Sequence, residues 1–250
     1  MVSVAAHVRP LSDRRFFGAM ALTLAATVFV GFGPTYYLVG LNDSPTPVLT
    51  PRLHVHAGLS TAWILMLIVQ TQLIATGRRG LHKMLGFAGA AIAAVTTITG
   101  IMVALQSERR VHTAANAGTL MDPYVFLMFP TMSIGLFATF VGLAILKRNH
   151  PDTHKRLMLL GTISLTGPAL ARLVTMAVKG IGIVGLPGVV GAVLLMNVFI
   201  ATIAIRDFKT RGRLHPATLW GGGLFVLSEP LRFVIAFSEP WQAFARALMN

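Results

Sequence analysis

The chain has 250 residues, of which 54% are hydrophobic and only 12% charged, and its mean hydropathy is +0.71. That is too apolar and too poor in charge for a soluble domain, so the net charge of +13 is read at the surfaces of a bilayer and not as a nucleic-acid footprint. There is no cysteine, which excludes disulfides, thiolate metal ligands, iron–sulfur clusters and covalent haem of the CxxCH type.

A transmembrane helix needs about 20 mostly apolar residues, and seven stretches qualify in chain order: 16–39, 54–76, 82–106, 124–146, 154–178, 184–205 and 215–237. The first follows Arg14-Arg15, is too long for a signal-peptide core and has no Ala-x-Ala site after it, so it reads as a span. Turn residues Asn42 to Pro47 and Pro51 lead to the second span, and the longest outside loop runs from Ser107 to Pro123 with Arg109-Arg110-Val111-His112 in it. Fourteen of the 21 Lys and Arg residues, from Arg9 to Arg213, fall on one side. Arg52, Arg109, Arg110, Lys179 and Arg246 fall on the other, and Arg172 and Arg232 lie inside spans. By the positive-inside rule the N-terminus is cytoplasmic and the C-terminus outside, a parity that seven spans satisfy. The expected fold is an all-α polytopic transmembrane bundle in one domain, 1–250.

Three basic loops each lead at once into a histidine that opens a span: Arg78-Arg79-Gly80-Leu81-His82, Lys147 to His154, and Arg206 to His215. This pattern reads as a lead helix, 16–39, followed by three tandem hairpins, 54–106, 124–178 and 184–237. Small residues crowd the third span (Gly86, Ala88, Gly89, Ala90, Ala91, Ala93, Ala94, Gly100) and recur at Gly221-Gly222-Gly223. Because small residues let helices approach closely in lipid, both helices are expected at the bundle centre. The methionines are scattered and read as packing, not copper ligation.

An ionisable group within a span is costly and therefore a candidate site. Arg172, Glu229 and Arg232 are the three such residues deep in the predicted spans, and Pro168 and Pro230 beside them each free a backbone carbonyl. Glu229 and Arg232 are spaced i, i+3 and can pair on one helix. Two readings stand: a polar pocket near the outer leaflet, or a structural ion pair with Arg172 extending toward the headgroups. His54 and His56 open the second span at the outer level, on opposite helix faces, and Gln70 and Gln72 continue polar stripes below them. The inner histidines His82, His154 and His215 lie at one level on alternate helices, where a bundle can bring two together. Paired neutral imidazoles with nearby Lys and Arg for propionates are what bis-histidine haem b requires; interfacial histidines, or contacts to quinone or lipid headgroups, are the alternatives.

No Walker A loop, GxGxxG, HExxH or GxSxG occurs, and the seventh span has no lysine for a retinal Schiff base. The order His56-x-Gly58, Trp63, Gln70, Arg79, Leu81-His82-Lys83-x-Leu85-Gly86, then His154-Lys155-Arg156-Leu157-Met158 and Arg172 resembles uncharacterised bacterial predicted-membrane-protein families, over about half the chain. These are distantly similar to haem-binding bundles of the cytochrome b561 and ferric-reductase type. The resemblance implies His54 or His56, His82 and His154 as first ligands; no metal other than haem iron is expected. The leading expectation is a bacterial inner-membrane protein that binds b-type haem or quinone for electron transfer. A non-catalytic accessory or assembly subunit of a respiratory or photosynthetic complex is the alternative, and a transporter of small anionic solutes at Arg172 and Glu229 the third.

Overall fold

The computed structural model describes residues 10–41, 49–106, 122–178 and 186–249, and every regular element among them is helical. Outside the described residues lie Arg9, the turn residues 42–47, the Arg109-Arg110-Val111-His112 run, Lys179 and the first two positions of the third expected hairpin.

Helix α1 (Pro10–Phe32) continues through a π-helical turn, Gly33–Tyr37, and a short 3-10 turn, Val39–Leu41. Helix α2 (Pro51–Ala75) starts on Pro51, with the Thr50 hydroxyl accepting from the Leu53 N–H at 3.3 Å. A tight turn through Gly77, at φ +78, leads to α3 (Arg79–Leu105). Asp122 caps α4 (Pro123–Leu146) by accepting from the Tyr124 and Val125 N–H groups at 2.8 and 3.3 Å. Then follow α5 (Pro151–Leu165) and α6 (Gly167–Val178), inclined by 51° to each other. Pro168 explains that bend, since it has no N–H for the Ser164 carbonyl. The chain finishes with α7 (Leu186–Arg211), a π-helical turn Ala217–Gly221, α8 (Gly222–Ala236) and α9 (Glu239–Met249). Helices start a few residues before the expected spans because proline at the first position and polar caps belong to the helix but not to its apolar run.

Six helices among the described residues are long and apolar enough to cross a membrane, and the α5–α6 pair makes seven if taken as one bent crossing. The chain is an all-helical, multi-pass membrane protein whose apolar flanks face lipid.

Helix α5 occupies the centre. It packs on α1, α4, α7 and the π turn, and Arg156, Leu157 and residues 159–164 are buried. Its core partners include Leu24, Phe140, Ile203 and Phe225. Trp63 meets Phe137 edge to face at 5.0 Å and donates to the Thr162 hydroxyl at 3.3 Å, joining α2, α4 and α5.

Two expectations change. Helix α3 is peripheral, packed chiefly on α2 and α4; Gly89, Ala93, Thr96 and Gly100 form its buried seam while Gly86 and Ala94 face outward. Its small residues are spread around the helix, and only the row matching the α2–α4 groove finds a partner. The third hairpin is not a close helix pair either: α7 lies chiefly along α6 and α8 along α4. The seam of α6 and α7 is tight, since a Cβ at Gly191 would lie 2.8 Å from the Val174 side chain. The amphipathic α9, beyond the last expected span, buries Ala245 and donates from Trp241 to the Tyr124 carbonyl at 2.9 Å.

The closest backbone approach is at Gly31, where a Cβ would lie 2.5 Å from the Ala169 carbonyl oxygen. Gly31→Ala is therefore expected to lower stability by about 1–3 kcal/mol, whereas Gly86→Ala, with nothing within 4 Å, leaves it unchanged. Thermal unfolding of the two variants in detergent checks this.

Candidate functional site

Two polar centres flank α5 at the end of the bundle where the basic loops lie. The first is an ion pair between Arg156 and Asp207, 2% and 0% exposed. Arg156 Nε donates to both carboxylate oxygens at 3.0 and 3.3 Å, and its Nη2 bonds Oδ1 as well. Asp207 Oδ2 also accepts from the Thr218 hydroxyl at 2.6 Å and the His215 N–H at 3.1 Å. The π turn presents Thr218 to this carboxylate, and His215 Nδ1 accepts from the Ala217 N–H at 3.1 Å. Around this core Asp13 holds Lys155 and Arg206, and Asp152 holds Lys155 and Arg211. Both oxygens of Asp207 are in use, so this centre locks α1, α5, α7 and the π turn together.

The second centre is a histidine pair. His82, in the first turn of α3, and His154, in the first turn of α5, stand with ring centres 6.3 Å apart and planes at 87°. His154 Nδ1 lies 2.8 Å from the Ala144 carbonyl of α4. A carbonyl only accepts, so Nδ1 carries the proton and, in the neutral ring, Nε2 keeps its lone pair. That is the arrangement by which a protein orients a ligating imidazole. His82 Nδ1 is buried without a hydrogen-bond partner. From α2, Gln70 Nε2 donates to the His82 carbonyl at 3.3 Å, while Gln70 Oε1 is buried and unpartnered. Two imidazoles therefore meet between α3 and α5, with Gln70 of α2 bonded to the His82 backbone and Lys83 and Lys147 close by in sequence.

The other sequence candidates lie elsewhere. His54 meets the Tyr36 hydroxyl at 3.2 Å, and His56 donates to the Thr99 hydroxyl at 3.1 Å, since Thr99 gives its own proton to the Val95 carbonyl. Both are near the start of α2, His56 roughly 28 Å from its far end at 1.5 Å per residue. Neither reaches an ion held by His82 and His154. His215 belongs to the ion-pair centre. Arg172 turns toward α1: it donates to the Thr35 hydroxyl at 3.2 Å and the Pro168 carbonyl at 2.9 Å, and lies 4.4 Å from the centre of the Phe32 ring. Glu229 accepts from Asn197 of α7 at 2.7 Å, and Arg232 bonds Ser228 on its own helix, so the expected Glu229–Arg232 pair is replaced by separate partners. Arg172 and Glu229 thus engage different helices and do not form one anion pocket.

In the sequence Arg156 stands among the basic residues of one loop and Asp207 directly after Arg206 in another, so residue order alone gives no reason to bury either. The acids Asp152 and Asp207, in otherwise basic segments, were the available signal. Among the described residues no group of three or more His, Asp or Glu is arranged to hold a metal ion. No protein-family model matches the chain, and neither a curated protein nor a solved structure shows detectable similarity to it.

Losing one partner of a buried pair leaves an uncompensated charge, so Arg156→Ala is expected to cost about 3–5 kcal/mol. Arg156→Met combined with Asp207→Leu should recover most of that loss in the same unfolding assay. Burial, reinforced by Arg156 and Arg211, holds His215 below its ordinary value of 6.5. The folded imidazole stays neutral while the unfolded one protonates, so stability is present above pH 6.5 and falls as pH drops below it. His215→Gln should flatten this dependence in melts taken between about pH 8 and about pH 5.

Proposed function

We propose that this chain is an electron-transfer protein of a bacterial inner membrane, and that His82 and His154 would hold a b-type haem. The observation that carries this reading is the imidazole pair, with one ring fixed by a backbone carbonyl and the other holding a buried, unpartnered nitrogen. Rings this close could be held by one metal centre. The donor set, two neutral nitrogen ligands without thiolate, suits haem iron. When bound, the haem supplies one-electron chemistry. The protein's own part is to orient the ligands: Ala144 sets the His154 tautomer, and Gln70 fixes the backbone that carries His82. Arg78, Arg79, Lys83 and Lys147 supply positive charge for propionates. In this reading α5–α6 counts as one bent crossing, giving seven spans with the N-terminus cytoplasmic and the C-terminus outside, so the pair lies near the cytoplasmic surface.

A second reading, an accessory subunit docked to a larger membrane complex, draws on the outward row of α3. Gly86 and Ala94 stand there beside exposed Phe87 and Ile98, and small residues facing outward are the kind that seat a partner helix in lipid.

Absorption spectra of detergent-purified protein, oxidised and dithionite-reduced, separate these. The haem reading expects a Soret band with sharp α and β bands on reduction, lost in His82→Ala and His154→Ala and kept in His54→Ala and His56→Ala. A colourless protein expressed with haem supplied, eluting as a single folded species, would sink the reading.

A further inference from the structure

A second buried group stands far along the bundle from the histidine pair, within two membrane-spanning helices. Glu229 of α8 is 4% exposed, and its Oε2 accepts from the Asn197 Nδ2 of α7 at 2.7 Å. The two remaining oxygens of this couple, Glu229 Oε1 and Asn197 Oδ1, are both buried and both without a partner. A carboxylate oxygen and an amide oxygen are acceptors only, so as an ionised pair they leave two lone-pair groups unsatisfied in a medium without water. A single proton on Oε1 changes this. The neutral acid donates to Oδ1 while Nδ2 donates to Oε2, and the two planar groups close a ring of two hydrogen bonds.

The surrounding charges do not impose ionisation by direct contact. Arg232, one turn along α8, spends its Nε and Nη2 on the Ser228 carbonyl and hydroxyl at 3.5 and 3.3 Å. Helix α4 and the π turn Ala217–Gly221 carry no charged residue, and α9 contributes only exposed Glu239 and Arg246. On α7 the first charges, Arg206 and Asp207, are nine and ten residues beyond Asn197, about 14 Å along the helix.

We infer that Glu229 is a proton-binding site inside the membrane, its carboxyl carrying the proton and paired with the Asn197 amide. The ligand is a proton, which forms an O–H bond at Oε1 and neutralises the carboxylate. A carboxyl that binds a proton within a span is the element from which proton relays across membranes are built. This site stands independently of any cofactor at His82 and His154.

Infrared spectroscopy of the full-length protein in detergent at neutral pH tests the inference. The expected result is a protonated-carboxyl C=O stretch that disappears in Glu229→Gln and shifts in Asn197→Leu. The chain has three glutamates, Glu108, Glu229 and Glu239. If Glu229→Gln fails to fold, a 13C-glutamate downshift of the band that survives in Glu108→Gln and Glu239→Gln assigns it to Glu229. Glu229→Gln should also melt no lower than the parent, because its amide N–H takes the place of the protonated Oε1 and donates to Asn197 Oδ1 while its carbonyl accepts from Nδ2. If no acid band at neutral pH is assigned to Glu229, the carboxyl is ionised and the inference is overturned.

Discussion

The bundle depends on one buried ion pair. Placing Arg156 and Asp207 out of water costs several kcal/mol for each charge. The fold offsets that cost with a bidentate guanidinium contact, the Thr218 hydroxyl and the His215 N–H. The carboxylate stands on α7 and its donors come from α5 and from the His215–Thr218 segment, so it is satisfied only when all three are in place. The linker between α7 and that turn reverses at Gly212, whose φ of +69 suits glycine. A polar helix can thus run through the middle of a membrane protein. Helix α5 is the least apolar of the long helices and the most buried, and its charged first turns are held by acids from neighbouring helices instead of water.

This constraint also positions the histidine pair. His154 lies two residues from Arg156 on the same helix turn, so the orientation that sends Arg156 toward Asp207 sends His154 toward α4 and α3. There the Ala144 carbonyl, near the end of α4 where carbonyls lose their helical partners, takes the imidazole proton. The electrostatic lock and the candidate ligand site are two faces of one helix, and disturbing the lock would move the ligand.

The half of the bundle away from the basic loops follows a different logic. Arg172 rests on Phe32 and bonds Thr35, at the π-helical end of α1. Glu229 accepts from Asn197 across the α7–α8 contact. These groups are distributed over separate helix contacts, and each is solved locally. That distribution disfavours a single solute cavity and leaves Glu229 as a group of its own, with a bonding deficit that one proton removes.

The amino-acid sequence alone determined the class of this protein. Apolar runs of about 20 residues can satisfy their backbone groups in lipid only as helices, and the basic loops and interior prolines are local features read directly from residue order. It also offered His54, His56, His82, His154, His215, Arg172, Glu229 and Arg232 as candidates together, because histidine and charged groups are costly near or within lipid wherever the chain goes. Only the tertiary structure decided which of them meet. A helical repeat specifies which residues share a face but not which neighbouring helix that face will find. Hence the small residues of α3 suggested a central helix, although only one row of them meets a groove. Hence also Arg156 and Asp207, 51 residues apart, looked like surface charges until long-range packing removed both from water, and Asn197 gave no sign of its role before α7 placed it against Glu229.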